Sequence, residues 1–338
     1  MPEWARPRGT LSLVALGISR AVSRIGKAVR RDSSSKVVYA AIVANIAIAA
    51  IKLIAGLKTG SSAMMAEAYH SAADTGNELL LLLGMRRSRR SPDRLHPFGH
   101  GKVLYFYSLL VAVFIFVVGG ALAASEGIHH LRRPELPEHP EWNYAVLAFA
   151  AVCELYSWNV SRKELLKKKA PGESTWQVIL RSKDPTVFTI FMEDSAALLG
   201  IVIAALGIVL GQIFHSPYFD AAASLLIALI LTAVAVILGR ESGALLVGES
   251  ANPALLKNAR SIILTDPAVE DVGDLLTMQL GPNQVLLAVD IKFKYGLRLR
   301  ELESAIDRLE ENIRRREPTV ERIFIEADAL RGDARRAA

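Results

Sequence analysis

The sequence predicts a polytopic α-helical membrane protein with six transmembrane helices, followed by a small α+β domain. Three observations support this prediction. Of the 338 residues, 51% are apolar, which exceeds the usual share in soluble domains. Six apolar runs reach or approach the ~20 residues that a helix needs to cross a bilayer. After Gly248 these runs stop, and short alternating patterns begin.

The six predicted spans alternate with polar loops of very different charge. The spans cover residues 37–57, 62–85, 103–128, 144–160, 187–214 and 219–238, and the fourth is the shortest. Lys and Arg are concentrated before the first span and in the loops after the second and fourth, in the runs "SRAVSRIGKAVRR", "RRSRRSPDR" and "RKELLKKK". By the positive-inside rule, both termini are therefore predicted to be cytoplasmic.

This charge distribution also decides how the net charge of +6 is interpreted. The basic residues lie in short clusters beside apolar runs, which favours contact with an anionic membrane surface over a nucleic-acid groove. We therefore expect no nucleic-acid partner. The predicted organisation is a basic cytoplasmic segment over 1–35, a transmembrane domain over 36–248, a cytoplasmic domain over 249–329 and a tail over 330–338.

The C-terminal region has the pattern of a small sheet covered by helices. Residues 252–266 predict a helix, 274–280 and 284–295 predict two strands around the turn "GPN", 297–317 predict an amphipathic helix, and 320–328 predict a last strand. The predicted order is therefore αββαβ, and the topology of the spans makes this domain cytoplasmic.

The second span carries more polarity than a lipid-facing helix tolerates. An ionisable residue within a span costs at least ~2.5 kcal/mol on insertion scales, so it usually faces protein or a water-filled path. His70 and Asp74 are four residues apart and Asn77 lies on the same helix face, with Glu67 and Glu78 flanking it. An imidazole and a carboxylate at this spacing can bind one divalent ion, and the pair suits zinc, with cobalt, iron or manganese as alternatives. A buried His–Asp pair that serves packing alone is the other interpretation.

The fifth span offers the remaining ligands in Glu193 and Asp194. Neighbouring helical residues point about 100° apart, so only one of the two is expected to face His70 directly. Asp74 lies about 16 Å and Asp194 about 10 Å along their helices from the cytoplasmic ends, so both reach the middle of the bilayer. No cation stands beside these acids in the sequence, which leaves shared protons or a metal as the expected counter-charge.

A second cluster lies in the predicted cytoplasmic loop, in the run "PDRLHPFGHGK". Asp93, His96 and His100 follow a DxxHxxxH spacing that suits zinc, and Gly99 and Gly101 allow the loop to fold back. The alternative is a turn with solvated histidines.

The other polar positions have weaker signals. His129 and His130 are adjacent and diverge, which favours packing at the membrane interface. Glu154 and Asp220 have no partner identifiable from sequence and are candidates for packing or for an ion path. Cys153 is the single cysteine, which excludes an intrachain disulfide and any Cys-based zinc motif, and it is interpreted as a packed residue.

Taken together, HxxxD on span two, the acidic pair on span five, "HPFGHGK" before span three and the C-terminal αββαβ pattern resemble the cation diffusion facilitator family of zinc transporters, over about 37–328. The resemblance implies a homodimeric exporter that moves a divalent cation out of the cytosol in exchange for protons. It also implies that the C-terminal domain is metallochaperone-like and helps to form the dimer.

The resemblance assigns His70, Asp74 and Asp194 to the transport site. Where the family usually has His or Asp four residues before that last Asp, this chain has Ile190. Glu193 is expected to substitute for it, as in the zinc transporter nine-like branch, whose "ED" motif this span resembles.

The same resemblance assigns Asp93, His96 and His100 to a loop metal site. It further implies that Lys102 pairs with an acid near the end of span six, for which Glu249 is the candidate. No His or Cys follows residue 215, so the C-terminal domain is expected to dimerise without strong zinc binding.

These observations predict an efflux transporter for divalent cations, Zn²⁺ with Mn²⁺, Fe²⁺, Co²⁺ or Cd²⁺ as alternatives, that works by proton antiport as a homodimer. The metal is a substrate, no cofactor is expected, and the chain is not expected to be an enzyme because no HExxH or nucleophile motif occurs. The alternative is a membrane-anchored scaffold or regulatory metal sensor without transport. The predicted location is a bacterial inner membrane, with an organellar membrane as the alternative.

Overall fold

The structure, a computed structural model, describes residues 34–137, 139–166, 183 and 185–327. Most of the predicted N-terminal segment 1–35, the end of the basic run 162–169 and the predicted tail 330–338 lie outside the described residues.

Each predicted span corresponds to one long helix. The helices are α1 Ser34–Thr59, α2 Ser62–Ser88, α3 Val103–Arg132, α4 Pro140–Leu166, α5 Pro185–Ile213 and α6 Tyr218–Val247. Most run a few residues past the predicted bounds, because an apolar run marks the membrane-facing part of a helix and not its hydrogen-bonded ends. The largest difference is in α6, which continues nine residues beyond its predicted end and stops at Gly248, whose φ of 126° terminates the helix.

By length and composition, three helices of the described chain qualify as membrane spans. They are Val103–Arg132, Phe188–Ile213 and Tyr218–Val247. Helices α1, α2 and α4 have 26 or 27 residues, which is also long enough for a crossing. Large apolar side chains such as Ile54, Val113 and Val202 face outward from the bundle, as expected for a surface that meets hydrocarbon.

Helix α2 occupies the centre of the bundle, where it packs against α1, α3, α5 and α6. Small residues allow this close packing: a methyl group at Gly76 would overlap the ring of Phe114 on α3, and one at Gly84 would meet Tyr107 at 2.7 Å. The π-helical segment Ile115–Ala121 interrupts α3 and places Gly120 against Thr232 of α6. Helix α2 therefore presents its polar residues to protein on several sides.

The C-terminal domain follows α6 directly. Its elements are α7 Pro253–Leu264, β1 Val269–Gly281, β2 Gln284–Phe293, α8 Leu299–Arg316 and β3 Val320–Ala327. Asn252 begins α7, since its side chain accepts a hydrogen bond from the backbone N–H of Ala254. Strand β1 starts five residues earlier than predicted, with register shifts along its pairing with β2 that obscure the alternating pattern in the sequence.

The three strands lie in the order β1-β2-β3. Strand β2 pairs antiparallel with β1 and parallel with β3, and the parallel return is made by α8. Helices α7 and α8 bury Leu255, Ile263, Leu309 and Ile313 against the sheet, which forms the second hydrophobic core. Below, the side of the bundle where α6 ends and this domain begins is called the domain side, and the opposite side is called the far side.

Candidate metal centre

A cavity of about 470 Å³ lies inside the bundle, between α1, α2, α4 and α5. Five carboxylates line it, and they come from three helices: Asp74, Glu78, Glu154, Glu193 and Asp194. A group of acids inside a helix bundle is costly unless cations or protons compensate its charge. The cavity is therefore the strongest candidate for an ion site within the bundle.

The adjacent acids of α5 point to different helices. The carboxylate of Glu193 accepts a hydrogen bond from Asn77 Nδ2 of α2 at 2.6 Å. The carboxylate of Asp194 accepts hydrogen bonds from the Ser157 and Ser161 hydroxyls of α4, each at 3.0 Å. Because both acids also line the cavity, α5 connects the α2 wall to the α4 wall through two neighbouring residues.

His70 lies beside the cavity and is not among the residues that line it. Its side chain is buried, and its Nδ1 lies 3.5 Å from Oδ1 of Asp74, at the limit of a hydrogen bond. Three buried atoms here have no hydrogen-bond partner within the described residues: the two ring nitrogens of His70 and Oδ1 of Asp74. These buried atoms keep lone pairs or protons free for a ligand.

A buried lysine compensates part of this negative charge. Lys52 of α1 is fully buried, and its Nζ lies 2.9 Å from Oε2 of Glu67 and 2.8 Å from the hydroxyl of Ser71. In the described chain no Lys or Arg pairs directly with Asp74, Glu193 or Asp194, but Lys52 stands beside the neighbouring acid Glu67. The sequence does not reveal this contact, because Lys52 comes from another helix and only packing brings it near Glu67. The signal in the sequence is a single lysine within an otherwise apolar run.

Two further acids, which the sequence does not assign to the metal site, line the cavity. Glu78 accepts a hydrogen bond from Asn45 Nδ2 of α1 at 2.7 Å, while its other carboxylate oxygen is buried and has no partner in the described chain. Glu154 joins Ser157 and Ser161 on the cavity side of α4. Their spacing of three and then four residues is a polar stripe that helical periodicity reveals.

The intramembrane residues surround a space and do not form a closed ligand shell. Over the described ranges, one group of three His, Cys, Asp or Glu residues has its ligand atoms all within 4.8 Å of one another, and it is the loop trio Asp93, His96 and His100. A cation in the cavity would therefore keep water among its ligands, or the helices would have to move closer.

In the loop trio, the Asp93 carboxylate is the central group. It lies 3.3 Å from His96 Nδ1 and 3.1 Å from His100 Nε2. The backbone N–H of His96 donates to it at 2.7 Å, and this bond, with those from His100 and Leu95, lowers the pKa of Asp93 to about 2. Asp93 is therefore ionised at neutral pH, so that it can bind a cation or orient the histidines.

The segment that carries the trio lies against the C-terminal domain. The rings of Phe98 and Phe324 meet edge to face at 6.4 Å, and a methyl group at Gly101 would overlap the carbonyl oxygen of Leu280 in the β1–β2 hairpin. The predicted pairing of Lys102 with Glu249 is wrong. Glu249 instead pairs with Lys183 at 2.7 Å, because Lys183 precedes α5 and is brought to the start of the domain.

On the far side, Asp220 caps α2. It is fully buried and accepts hydrogen bonds from the hydroxyls of Ser61 and Ser62 at 2.7 and 2.9 Å and from the N–H groups of Ser62 and Ala63. The carboxylate thus satisfies N–H groups at the start of the helix. His130 contacts the Gly60 carbonyl oxygen through Nε2 at 2.8 Å. Both polar positions have structural partners at this end of the bundle.

Comparison with known proteins agrees with this architecture. Residues 38–247 match the family model of the cation efflux transmembrane domain. The chain is 36% identical to the "Proton-coupled zinc antiporter SLC30A9, mitochondrial" of Xenopus laevis over 259 residues, which are 76% of this chain and 46% of that relative. The human protein of the same name is 34% identical over the same shares.

A bacterial relative matches over nearly its whole length. It is the "Manganese efflux system protein MneP" of Bacillus subtilis, 25% identical over 296 residues that cover 88% of this chain and 96% of the relative. The chain spans about half the length of the zinc antiporters it matches. Because the family model covers residues 38–247 of 338, the chain belongs to the cation efflux family, which is a family of membrane transporters and not of enzymes.

Proposed function

We propose that this protein exports a divalent cation, zinc in the first place, across a membrane in exchange for protons. The observation that carries the proposal is the cavity with five carboxylates inside the helix bundle. Buried acids without enough fixed cations need a mobile counter-charge, and divalent ions and protons both supply it. The names of the zinc and manganese relatives support the same class of substrate.

The ligands that we assign to the cation are His70, Asp74, Glu193 and Asp194. Asp74 and the two acids of α5 line the same cavity, and His70 lies one turn from Asp74 with both nitrogens free of hydrogen bonds. A neutral imidazole among carboxylates suits zinc better than magnesium or calcium. Ile190 lines the cavity without offering a ligand, so Glu193 supplies the group that the family usually has at that position.

Proton coupling follows from the chemistry of these ligands. A protonated imidazole or carboxyl group does not bind a metal ion, so protons and zinc compete for the same atoms. If the cavity opens to the two sides in turn, the side with more protons favours release of the metal. An inward proton gradient then drives export.

We further infer the orientation and assembly. Six spans cross the membrane and the domain side faces the cytoplasm, in a bacterial inner membrane or an organellar one, since basic residues are concentrated on that side. The C-terminal metallochaperone-like αββαβ domain joins two copies, and the exposed Leu276, Met278 and Phe324 are candidate contacts between them. The loop trio Asp93, His96 and His100 is a second metal site on the cytoplasmic surface.

The test is zinc flux in proteoliposomes with a set pH gradient. We expect uptake that depends on the gradient, loss of uptake in Asp74→Ala with folding kept, and unchanged uptake in the exposed control Glu270→Gln. Zinc flux that is independent of the proton gradient would refute the coupling. Absence of flux in the unaltered protein would refute transport.

One observation favours the second candidate function, metal sensing without transport. The segment that carries the loop trio lies against the C-terminal domain. Metal binding at the trio would therefore change a surface next to that domain, where a partner protein could detect it. A double variant, His70→Ala with Asp74→Ala, separates the two functions. If the protein senses metal without transporting it, the double variant should respond to metal like the unaltered protein. If the protein is a transporter, the double variant should carry no zinc.

A further inference from the structure

The Lys52–Glu67 ion pair lies where the cavity ends. The residues of α1 and α2 that line the cavity nearest the far side are Ile48 and Ser71. Lys52 and Glu67 each lie four residues, or about 6 Å, further toward the far side on their helices. A cation that leaves the cavity toward the far side therefore meets this pair first.

The ion pair is charged, buried and adjacent to the cavity wall. Both side chains are fully buried, and the Lys52 ammonium also donates to Ser71, which lines the cavity. Asp74 and Glu154 lie close enough to act electrostatically on that ammonium. A fixed positive charge here opposes the passage of another cation, since two charges interact strongly in a buried, weakly screening environment.

Glu67 has a second property that suits an ion path. Its Oε1 is buried and has no hydrogen-bond partner in the described chain, and it lies where a methyl group at Gly200 of α5 would be. The absence of a side chain at Gly200 gives this oxygen its place beside the helix that also carries Glu193 and Asp194. One carboxylate oxygen thus binds Lys52, while the other has no hydrogen-bond partner among the described residues.

We propose that the Lys52–Glu67 ion pair is the gate at the far-side end of the cation cavity, and that Glu67 binds the divalent cation as it leaves. This inference rests on the proposed function. When the cation moves outward, the Asp74 carboxylate loses its counter-ion. The flexible four-carbon stem of Lys52 then lets its ammonium turn toward that carboxylate. Glu67 is then released to receive the cation, and the reverse exchange closes the gate.

The chain contains its own reporter for this gate. Cys153 is the single cysteine, and it lines the cavity. A cationic, membrane-impermeant methanethiosulfonate reagent can be added to vesicles that expose either the domain side or the far side. Labelling of Cys153 then measures how often the cavity is open to each side, and Cys153→Ala gives the background.

The decisive variant is Lys52→Met with Glu67→Gln, which keeps the side-chain volumes and removes the attraction. We expect far-side labelling of Cys153 to rise about tenfold, which corresponds to a loss of ~1.4 kcal/mol in the closed state. The matched control, Lys292→Met with Glu270→Gln, neutralises the exposed ion pair in the C-terminal domain and should leave labelling unchanged. Far-side labelling equal to that of the unaltered protein would overturn the proposal.

A second variant decides the question if the neutral pair does not fold. Lys52→Arg keeps the charge and allows a two-bond contact with Glu67, which strengthens the gate. Far-side labelling should then fall below that of the unaltered protein, and unchanged labelling would overturn the gate. Zinc uptake by the unaltered protein is measured in the same vesicles, so a failure of transport is seen separately from a failure of the gate.

Discussion

Asn77 of α2 donates a hydrogen bond of 2.6 Å to the carboxylate of Glu193 on α5, one turn away from Asp74 along α2. This bond sets the direction of the Glu193 carboxylate, which we propose as the substitute for a ligand at position 190. The neighbouring Asp194 turns to Ser157 and Ser161 instead. The two halves of the candidate metal centre are thus joined by a direct contact between the second and fifth helices.

The first prediction concerns this contact. Asn77→Ala leaves the buried Glu193 carboxylate without its donor, and a buried group that loses its partner costs about 1–3 kcal/mol of stability. Glu193→Gln should cost less, because an amide oxygen still accepts from Asn77. Thermal unfolding of the two variants in detergent measures the difference, and equal losses would argue against the orienting role of Asn77.

The second prediction tests whether Glu193 replaces the missing ligand at Ile190. Glu193→Gln should weaken zinc binding by about tenfold, or ~1.4 kcal/mol. Adding Ile190→His should restore much of that loss, because Ile190 lines the cavity one turn before Asp194. Ile48→His, which also introduces an imidazole at the cavity wall, is the control and should not restore binding. Calorimetric zinc titration of the purified variants decides the outcome.

The third prediction concerns Asp220, which caps α2 on the far side. Asp220→Asn removes the charge and replaces one acceptor oxygen by an N–H donor. Because Ser61, Ser62 and Ala63 also donate at this position, part of the capping hydrogen bonds is lost. Hydrogen bonds to a charged group contribute about 1.5–3 kcal/mol, and we expect destabilisation of that order. Ser61→Ala, which loses one capping hydroxyl, should cost about 1 kcal/mol. Zinc affinity of the folded fraction should stay unchanged in both variants.

The fourth prediction concerns the contact between the loop and the C-terminal domain. Gly101→Ala introduces a methyl group that overlaps the Leu280 carbonyl oxygen, which is a backbone atom and cannot turn aside as a flexible side chain would. We expect faster hydrogen exchange in the β1–β2 hairpin of this variant. Gly243→Ala adds the same methyl group where no atom outside the adjacent turns of its own helix lies within 4 Å, so its exchange should match that of the unaltered protein. Equal exchange in both variants would mean that the contact is dispensable.

The helices could be predicted from sequence because their apolar runs are long, and membrane insertion depends on each run alone. The positions of Asp74 and Asp194 at similar depth followed from counting residues along these helices. Lys52 could not be placed beside Glu67 in this way, since the contact depends on how α1 rotates against α2. The two roles of Glu193 and Asp194 likewise depend on Asn77 and the serines of α4, which only tertiary packing identifies.

Glu154 shows the same limit. The polar stripe of α4 to which it belongs is visible in the sequence, but the cavity that this stripe faces is formed only when α4 packs against the other helices. Asp220 is the opposite case, because the sequence shows the acid at the start of a span, whereas its function as the cap of α2 depends on a contact between residues 158 positions apart. Periodicity predicts which face of a helix is polar, and packing decides what that face meets.

The last prediction concerns the C-terminal domain and its dependence on pH. Asp266 is nearly buried, and Arg308 donates to both of its oxygens at 3.1 Å, while the N–H of Ala268 donates at 2.9 Å. Burial by itself raises the pKa of Asp266, but these hydrogen bonds outweigh it, so the pKa lies below its ordinary value of 3.8. The ionised carboxylate is therefore the form that the fold prefers.

A group with a lowered pKa in the folded state stabilises the fold above its unfolded pKa, and that contribution is lost as the pH falls through the folded pKa. Arg308→Met should therefore destabilise the domain at pH 6, although by less than the loss of a buried ion pair would, because the guanidinium is half exposed. The difference from the unaltered protein should shrink when unfolding is measured well below pH 3.8. Arg314→Met, which removes an exposed ion pair with Glu310, is the control and should cost less than about 0.5 kcal/mol at pH 6. An Arg308→Met penalty that is constant from pH 6 downward would show that packing of the side chain, and not its bond to ionised Asp266, is what stabilises the fold.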